Sequence, residues 1–434
     1  MSNQQPVLGQ VVLGYSPMVD RHRAITAARL TVFPSRADTT PDAAALLEAV
    51  AEVWPADGGR VSLNVASETA LQDLVRFRPA PNVMVEIPAF MACDVANTDS
   101  LRAMHAHGST LLIKGRPLSP LPREVLPCFA YSIIDVADER RDGSPPPGGV
   151  TRTIPHIQSG VRTLAEMEQS FQRGAIAVLG WPIDDVAANN GKNGGKSGPR
   201  PELQFIVELI NRVDREEPAD RLEAVLKTDP TLAFRLMRYI NSPAFGLSVE
   251  INSFRHAIMV LGYNRLKRWL ALLLASASKD PNVKPVMYAA VRRGLLMEEL
   301  GGQGASPDQR SEMFICGVFS LLDRLMGQPL PDLMRSIPVP DAVRAALVDQ
   351  TGPYHAQLDL VRAIEAESVF DIRAAAEATM LGLPEVNRAV LRALASARST
   401  ARLTSGSPSI VASAAARMSN TDSASTARTR SSCA

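Results

Sequence analysis

Cysteine is scarce in this chain: Cys93, Cys128, Cys316 and Cys433 are the only four in 434 residues, and no two form a Cys-x-x-Cys pair. That argues against a disulfide framework and a structural zinc site, and it fits a reducing cytoplasm. An excess of charge is missing as well. Lys plus Arg number 46 and Asp plus Glu 45, so no net basic field draws nucleic acid or an anionic membrane to the whole molecule. The longest apolar run, Leu270 to Ala275, is far below the ~20 residues of a membrane span. The N-terminus, Met1-Ser2-Asn3-Gln4-Gln5, lacks the basic and then apolar segments of a secretion signal. Nucleic-acid binding, membrane insertion and secretion are therefore not expected.

The length predicts two domains with accessory segments. Residues 1–185 alternate strand and helix patterns. Val7 to Val12, Ala24 to Phe33, Val61 to Val65, Val83 to Ile87, Thr110 to Ile113 and Ser132 to Val136 read as strands, with helices over Pro41 to Val53 and Asp99 to Ala106. Such alternation predicts an α/β domain with a mostly parallel sheet or barrel. Residues 186–200 are Asn-, Gly- and Lys-rich and read as a flexible linker. Within it Gly195-Lys196-Ser197 ends like a phosphate-binding loop, but Asn190 stands where the first glycine belongs and no strand precedes it. Residues 399–434, with ten serines, four arginines and the single acid Asp422, read as a disordered tail.

Between these, residues 201–398 carry helical periodicity. Leu203, Ile206, Val207 and Ile210 form one apolar face. Asp229 suits an N-cap and Pro230 the first helical position; Leu232, Leu236, Met237 and Ile240 then share a face until Asn241-Ser242-Pro243 ends the helix. A further helix opens after Ser253 and stops at Gly262, and a third carries Leu266, Trp269, Leu270 and Leu273. Phe314, Val318, Leu321 and Leu322 mark a buried helix, Pro340 and Asp341 a helix start, and Leu358 to Glu367 another helix. Leu381 to Asn387 is a break before one final helix. Trp181, Met297, Met313 and Met326 fit core packing.

The phrase from Asp229 to Pro243, followed by Phe245-Gly246, Ile251-Asn252-Ser253 and Leu261-Gly262, resembles the HDOD domain, an all-α relative of the HD phosphohydrolases. Those hydrolases need a His, a His-Asp pair and a further Asp as metal ligands. This chain has six histidines and no His-Asp dipeptide, and His256 and His355 read as packing and helix-start residues. The N-terminal half resembles the EAL domain, a TIM-barrel-like fold that hydrolyses cyclic di-GMP with bound divalent metal. The resemblance rests on Gln10 to Asp20, on Val61-Ser62-Leu63-Asn64-Val65, on Val85-Glu86-Ile87 and on Phe171 to Pro182.

That resemblance implies carboxylate ligands which this chain lacks. The signature glutamate falls in Ala27-Ala28-Arg29-Leu30, the paired aspartates fall on Lys114-Gly115, and a later Val-Glu-Thr reads Val161-Arg162-Thr163. Asn64 and Glu86 remain as relics. The expectation is a degenerate EAL-like domain over 1–185 and an HDOD domain over 201–398, with no catalytic, cofactor or metal residue. Such a protein would be a cytoplasmic bacterial signalling scaffold that binds protein partners through the HDOD domain, in motility, virulence or another cyclic di-GMP-linked process. The alternatives are a divergent cyclic di-GMP phosphodiesterase and a metal-free receptor in which Arg29, Lys114 and Arg162 line a phosphate cleft.

Overall fold

Asp20 reverses the chain and sets the topology. Its Oδ1 accepts from the backbone N–H of His22 at 2.8 Å and of Ala24 at 2.9 Å, and Arg23 takes a left-handed φ of 63°. Strand β1 (Val11–Asp20) therefore folds back antiparallel on β2 (Ile25–Pro34). In the computed structural model, which describes residues 6–54, 59–138, 154–186, 201–219, 221–222, scattered positions from 256 to 274, 281–302, 304–337 and 339–395, the next six strands run parallel to β2. They are β3 (Arg60–Val65), β4 (Val83–Pro88), β5 (Thr110–Lys114), β6 (Phe129–Asp135), β7 (His156–Ser159) and β8 (Ala177–Leu179). Strand β8 returns to β1 and closes an eight-stranded barrel.

The sequence pattern places the first strand at Val7 to Val12. Instead Pro6–Gly9 is a 3₁₀ turn, and the strand runs on through Pro17 to Asp20. Pro17 is tolerated because its missing N–H lies on the β8 side, where pairing is brief and only its carbonyl accepts, from Gly180 at 3.1 Å. Strands β7 and β8, of 4 and 3 residues, are too short to show a period of two. Helices α1 (Ala43–Val53), α2 (Glu68–Leu74), α3 (Ala89–Cys93), α4 (Thr98–Ala106) and α5 (Leu164–Gln172) fill the connections. Asp42, Ser67 and Thr163 cap α1, α2 and α5, the last through a capping box with Glu166.

The C-terminal region is helical. Helix α6 (Pro201–Asp214) buries Ile206, Leu209, Ile210 and Val213. Helices α7 (Lys284–Leu300) and α8 (Pro307–Phe319) cross closely at two glycines: a Cβ on Gly317 would stand 2.5 Å from the Arg293 backbone, and one on Gly294 would stand 2.7 Å from Val318 Cγ2. Short helices α9 (Leu322–Met326), α10 (Leu330–Ser336) and α11 (Asp341–Arg344) follow. The helices expected around Asp229 to Asn241, most of that expected around Trp269, the linker and the tail lie outside the described residues. Among the described residues no helix is long and apolar enough to cross a membrane.

Helices α12 (His355–Glu365), α13 (Val369–Thr379) and α14 (Leu383–Ala395) end the described chain. The sequence assigns them to the helical domain, yet residues 359–395 form one compact unit with residues 1–185, and residues 186–358 form a second. Packing explains the placement. Val386, Ala389, Val390, Leu391, Ala393 and Leu394 bury one face of α14, and Asn387, fully buried, bonds to the backbone of β1 and of the turn before it.

Helix α13 ends with Met380 in a left-handed turn, φ 55°, its side chain 92% exposed. The N–H of Leu381 reaches Ala376 O at 3.2 Å and that of Met380 reaches Glu377 O at 3.0 Å, a pattern that usually places glycine where Met380 stands. Met380→Gly should therefore raise stability by about 0.5 kcal/mol. Urea unfolding is the check, and a lower midpoint would mean that Met380 packs against something.

Candidate functional site

Strand alternation sorts the barrel interior into two layers. Met18, Ala27, Met84, Leu112, Ile133, Ile157, Ala177 and Leu179 form a dry apolar layer. Two residues along, toward the C-terminal ends of the parallel strands, the inward positions are polar: Ser16 across the hairpin, then Arg29, Glu86, Lys114, Asp135 and Ser159, with Ser62 and Asn64 beside them. This polar end is the candidate site, because open α/β and barrel folds gather functional side chains at that end.

Arg29 and Glu86 dominate it. Arg29 Nε donates to Glu86 Oε1 at 2.9 Å and Nη2 donates to Oε2 at 2.7 Å, a two-pronged fork. Ser62 Oγ donates to the same Oε1 at 2.9 Å. The Glu86 side chain is fully buried and that of Arg29 is 11% exposed. Burial by itself pulls the Arg29 pKa down, but the negative field of Glu86, then Glu367 and Asp135, outweighs it and holds the guanidinium above its ordinary value. Lys114 Nζ donates to Asn64 Oδ1 at 2.7 Å, and Asn64 Nδ2 donates to Thr31 Oγ1 at 3.3 Å. Burial pushes the Lys114 ammonium below its usual pKa; Glu86 and Glu367 oppose that, and the nearby Arg29 adds to it.

Asp135 is also engaged. Its Oδ1 accepts from the Ala137 N–H at 2.8 Å and its Oδ2 from Ser159 Oγ at 3.1 Å. The following strand ends at Gly160, φ 78°, where a Cβ would stand 2.9 Å from Asp135 Oδ2.

The family resemblance implies a pair of divalent ions, and this donor set does not fit one. Both oxygens of Glu86 face a guanidinium, and the Asn64 amide oxygen that would ligate a cation faces an ammonium. Of the three basic residues singled out by sequence, Arg29 and Lys114 meet here. Arg162 does not: its side chain is 70% exposed and pairs with Asp184 at 3.0 Å. Ser16, Thr31, Ser62 and Asp135 are additional members of the site. Alternation with Arg29 and Asn64 would have found Thr31 and Ser62, whereas nothing local marks Glu367, which reaches the site from the far end of the chain.

Comparison with known proteins agrees with the helical half of this reading. Residues 202–330 match the HDOD domain family. YuxH, an uncharacterised protein of Bacillus subtilis strain 168, is 30% identical over 221 residues, 50% of this chain and 53% of that protein. The cyclic di-GMP phosphodiesterase CdgJ of Vibrio cholerae is 28% identical over 166 residues, 38% of each chain. The matches thus span about half or less of these relatives' own lengths. Among solved structures, an EAL enzyme in a cGMP-bound form aligns with a TM-score of 0.30 and 14% identity over 41% of this chain and 62% of the other. A standalone EAL protein from Vibrio cholerae O395 in a c-di-GMP-bound form aligns with a TM-score of 0.28 and 15% identity over 39% of this chain and 90% of the other. The chain carries an HDOD domain over residues 202–330, with a closed eight-stranded barrel on the N-terminal side of it.

Proposed function

We propose that this protein is a cytoplasmic signalling scaffold in a cyclic di-GMP-linked pathway, that its barrel turns over no dinucleotide, and that it works by binding protein partners through its HDOD domain. The observation that carries this reading is the Arg29–Glu86 fork. Metal-assisted phosphodiester hydrolysis needs free carboxylate oxygens to seat the ions that activate water. Here the most deeply buried carboxylate of the polar end is neutralised by a cation, and the neighbouring Asn64 amide oxygen accepts from the Lys114 ammonium. A helical domain can still offer grooves to partner helices. The relatives support the pathway, since one of them is named a cyclic di-GMP phosphodiesterase.

Incubating the full chain with cyclic di-GMP and Mn²⁺ or Mg²⁺ tests the barrel. The expected result is no linear dinucleotide; metal-dependent turnover by the full chain would overturn the proposal in favour of a divergent phosphodiesterase. Calorimetry without metal tests the receptor alternative, which has less support because Arg29 is already doubly engaged and Arg162 lies apart. Micromolar binding lost in Arg29→Ala would establish it.

A further inference from the structure

Helix α12 ends in a tight left-handed turn centred on Glu367, φ 54°. The N–H of Glu367 reaches Ile364 O at 3.2 Å and that of Ser368 reaches Ala363 O at 3.2 Å. Glycine is the usual residue at this position. Here the glutamate side chain enters the polar end of the barrel, where Ser16 Oγ donates to its Oε1 at 2.9 Å and Thr31 Oγ1 donates to its Oε2 at 2.8 Å. The opposite wall is shaped to receive it. A Cβ on Gly14 would stand 3.0 Å from Glu367 Cγ and 3.1 Å from its Cα, so the turn reaches this depth because β1 has no side chain there. Ser368 then starts α13 by accepting from the Asp371 N–H at 3.4 Å, which fixes the turn from its other side.

We propose that the turn 366–368 is a removable cap, in which Glu367 occupies the place an outside anion would need and closes the polar end of the barrel from solvent. The cap excludes anions in particular, because the groups it serves are two hydroxyl donors beside the cations Arg29 and Lys114. It belongs to the barrel's own unit. The capping role holds whether or not the barrel turns over a dinucleotide.

The test uses the full chain and two readouts: amide hydrogen exchange at residues 366–382, and acylation of the Lys114 amine followed by mass spectrometry. Glu367→Gly separates a cap from a mere helix end. If Glu367 only terminates α12, glycine relieves the left-handed backbone and exchange slows, as at Met380. If it is a cap, exchange in the turn and Lys114 acylation both rise about tenfold or more. Gly14→Ala, which adds one methyl against the cap and leaves Glu367 itself intact, should act in the same direction. Exchange in the apolar strand layer, unchanged in both variants, shows that the barrel is still folded. Unchanged or slower exchange and unchanged acylation in both variants would overturn the proposal. Were the glycine variant not to fold, Glu367→Gln and Gly14→Ala would decide by the same readouts.

Discussion

Glu86→Ala is expected to lower stability by roughly 3–5 kcal/mol, because it leaves the buried Arg29 guanidinium without its counter-charge. Both oxygens of Glu86 serve Arg29, and the carboxylate is fully enclosed, so water cannot take over its role cheaply. Urea unfolding followed by tryptophan fluorescence should show a large fall in midpoint, little changed by salt because the pair is screened from solvent. The companion variant locates the cost. Replacing both residues, Arg29→Met with Glu86→Leu, should recover most of the loss, since an apolar pair needs no compensation. If the double variant were as unstable as the single one, the fork would not be the source of the energy, and the polar layer would depend on Ser62 and Asn64 instead.

Asn387→Ala should be comparably damaging, by about 3–5 kcal/mol, although it lies on a helix outside the barrel. The reason is the seam of β1. Its odd-numbered residues turn their backbone groups toward β8, but β8 has only three residues and pairs only with Met18 to Asp20. Gly180 N–H supplies Pro17 O at 3.1 Å, and the Trp181 indole N–H supplies Tyr15 O at 3.3 Å. Beyond that point the Asn387 amide takes over, donating to Val11 O and Leu8 O at 2.8 Å each and accepting from the Leu13 N–H at 3.1 Å. One side chain thus does the work of a missing stretch of strand. Truncation leaves two carbonyls and one N–H buried without partners. Amide exchange at Leu13 is the direct check; a slow-exchanging Leu13 in the variant would mean that another group satisfies the seam.

Much of this was legible in the sequence, and for definite reasons. The strands from Val61, Val83 and Thr110 are runs of apolar residues bounded by turns, and they form where the pattern places them. Asn64, Glu86 and Lys114 lie at or near strand ends and Arg29 lies mid-strand in β2, and alternation carries all four to one face, so the site assembles from local rules. Arg162 shows where those rules stop. It lies past Gly160, after β7 has ended, and in irregular backbone the period of two no longer says which way a side chain points. Glu367 and Asn387 were beyond reach for a different reason. Their partners, such as Ser16 and Leu13, are more than 350 positions away, and a single sequence carries no signal linking residues so distant. Asn387 lies on helix α14 and Glu367 in the turn between α12 and α13, and neither helix pattern says which unit it packs against.

The barrel's seam has a consequence for how the protein is made. Its first strand is synthesised long before the amide that completes that strand's edge, which lies 374 positions beyond Leu13, so this edge stays open until Asn387 has been made. A product ending before Asn387 would expose that open edge to other chains, so the damage from a stop codon placed before it would fall on the distant first strand.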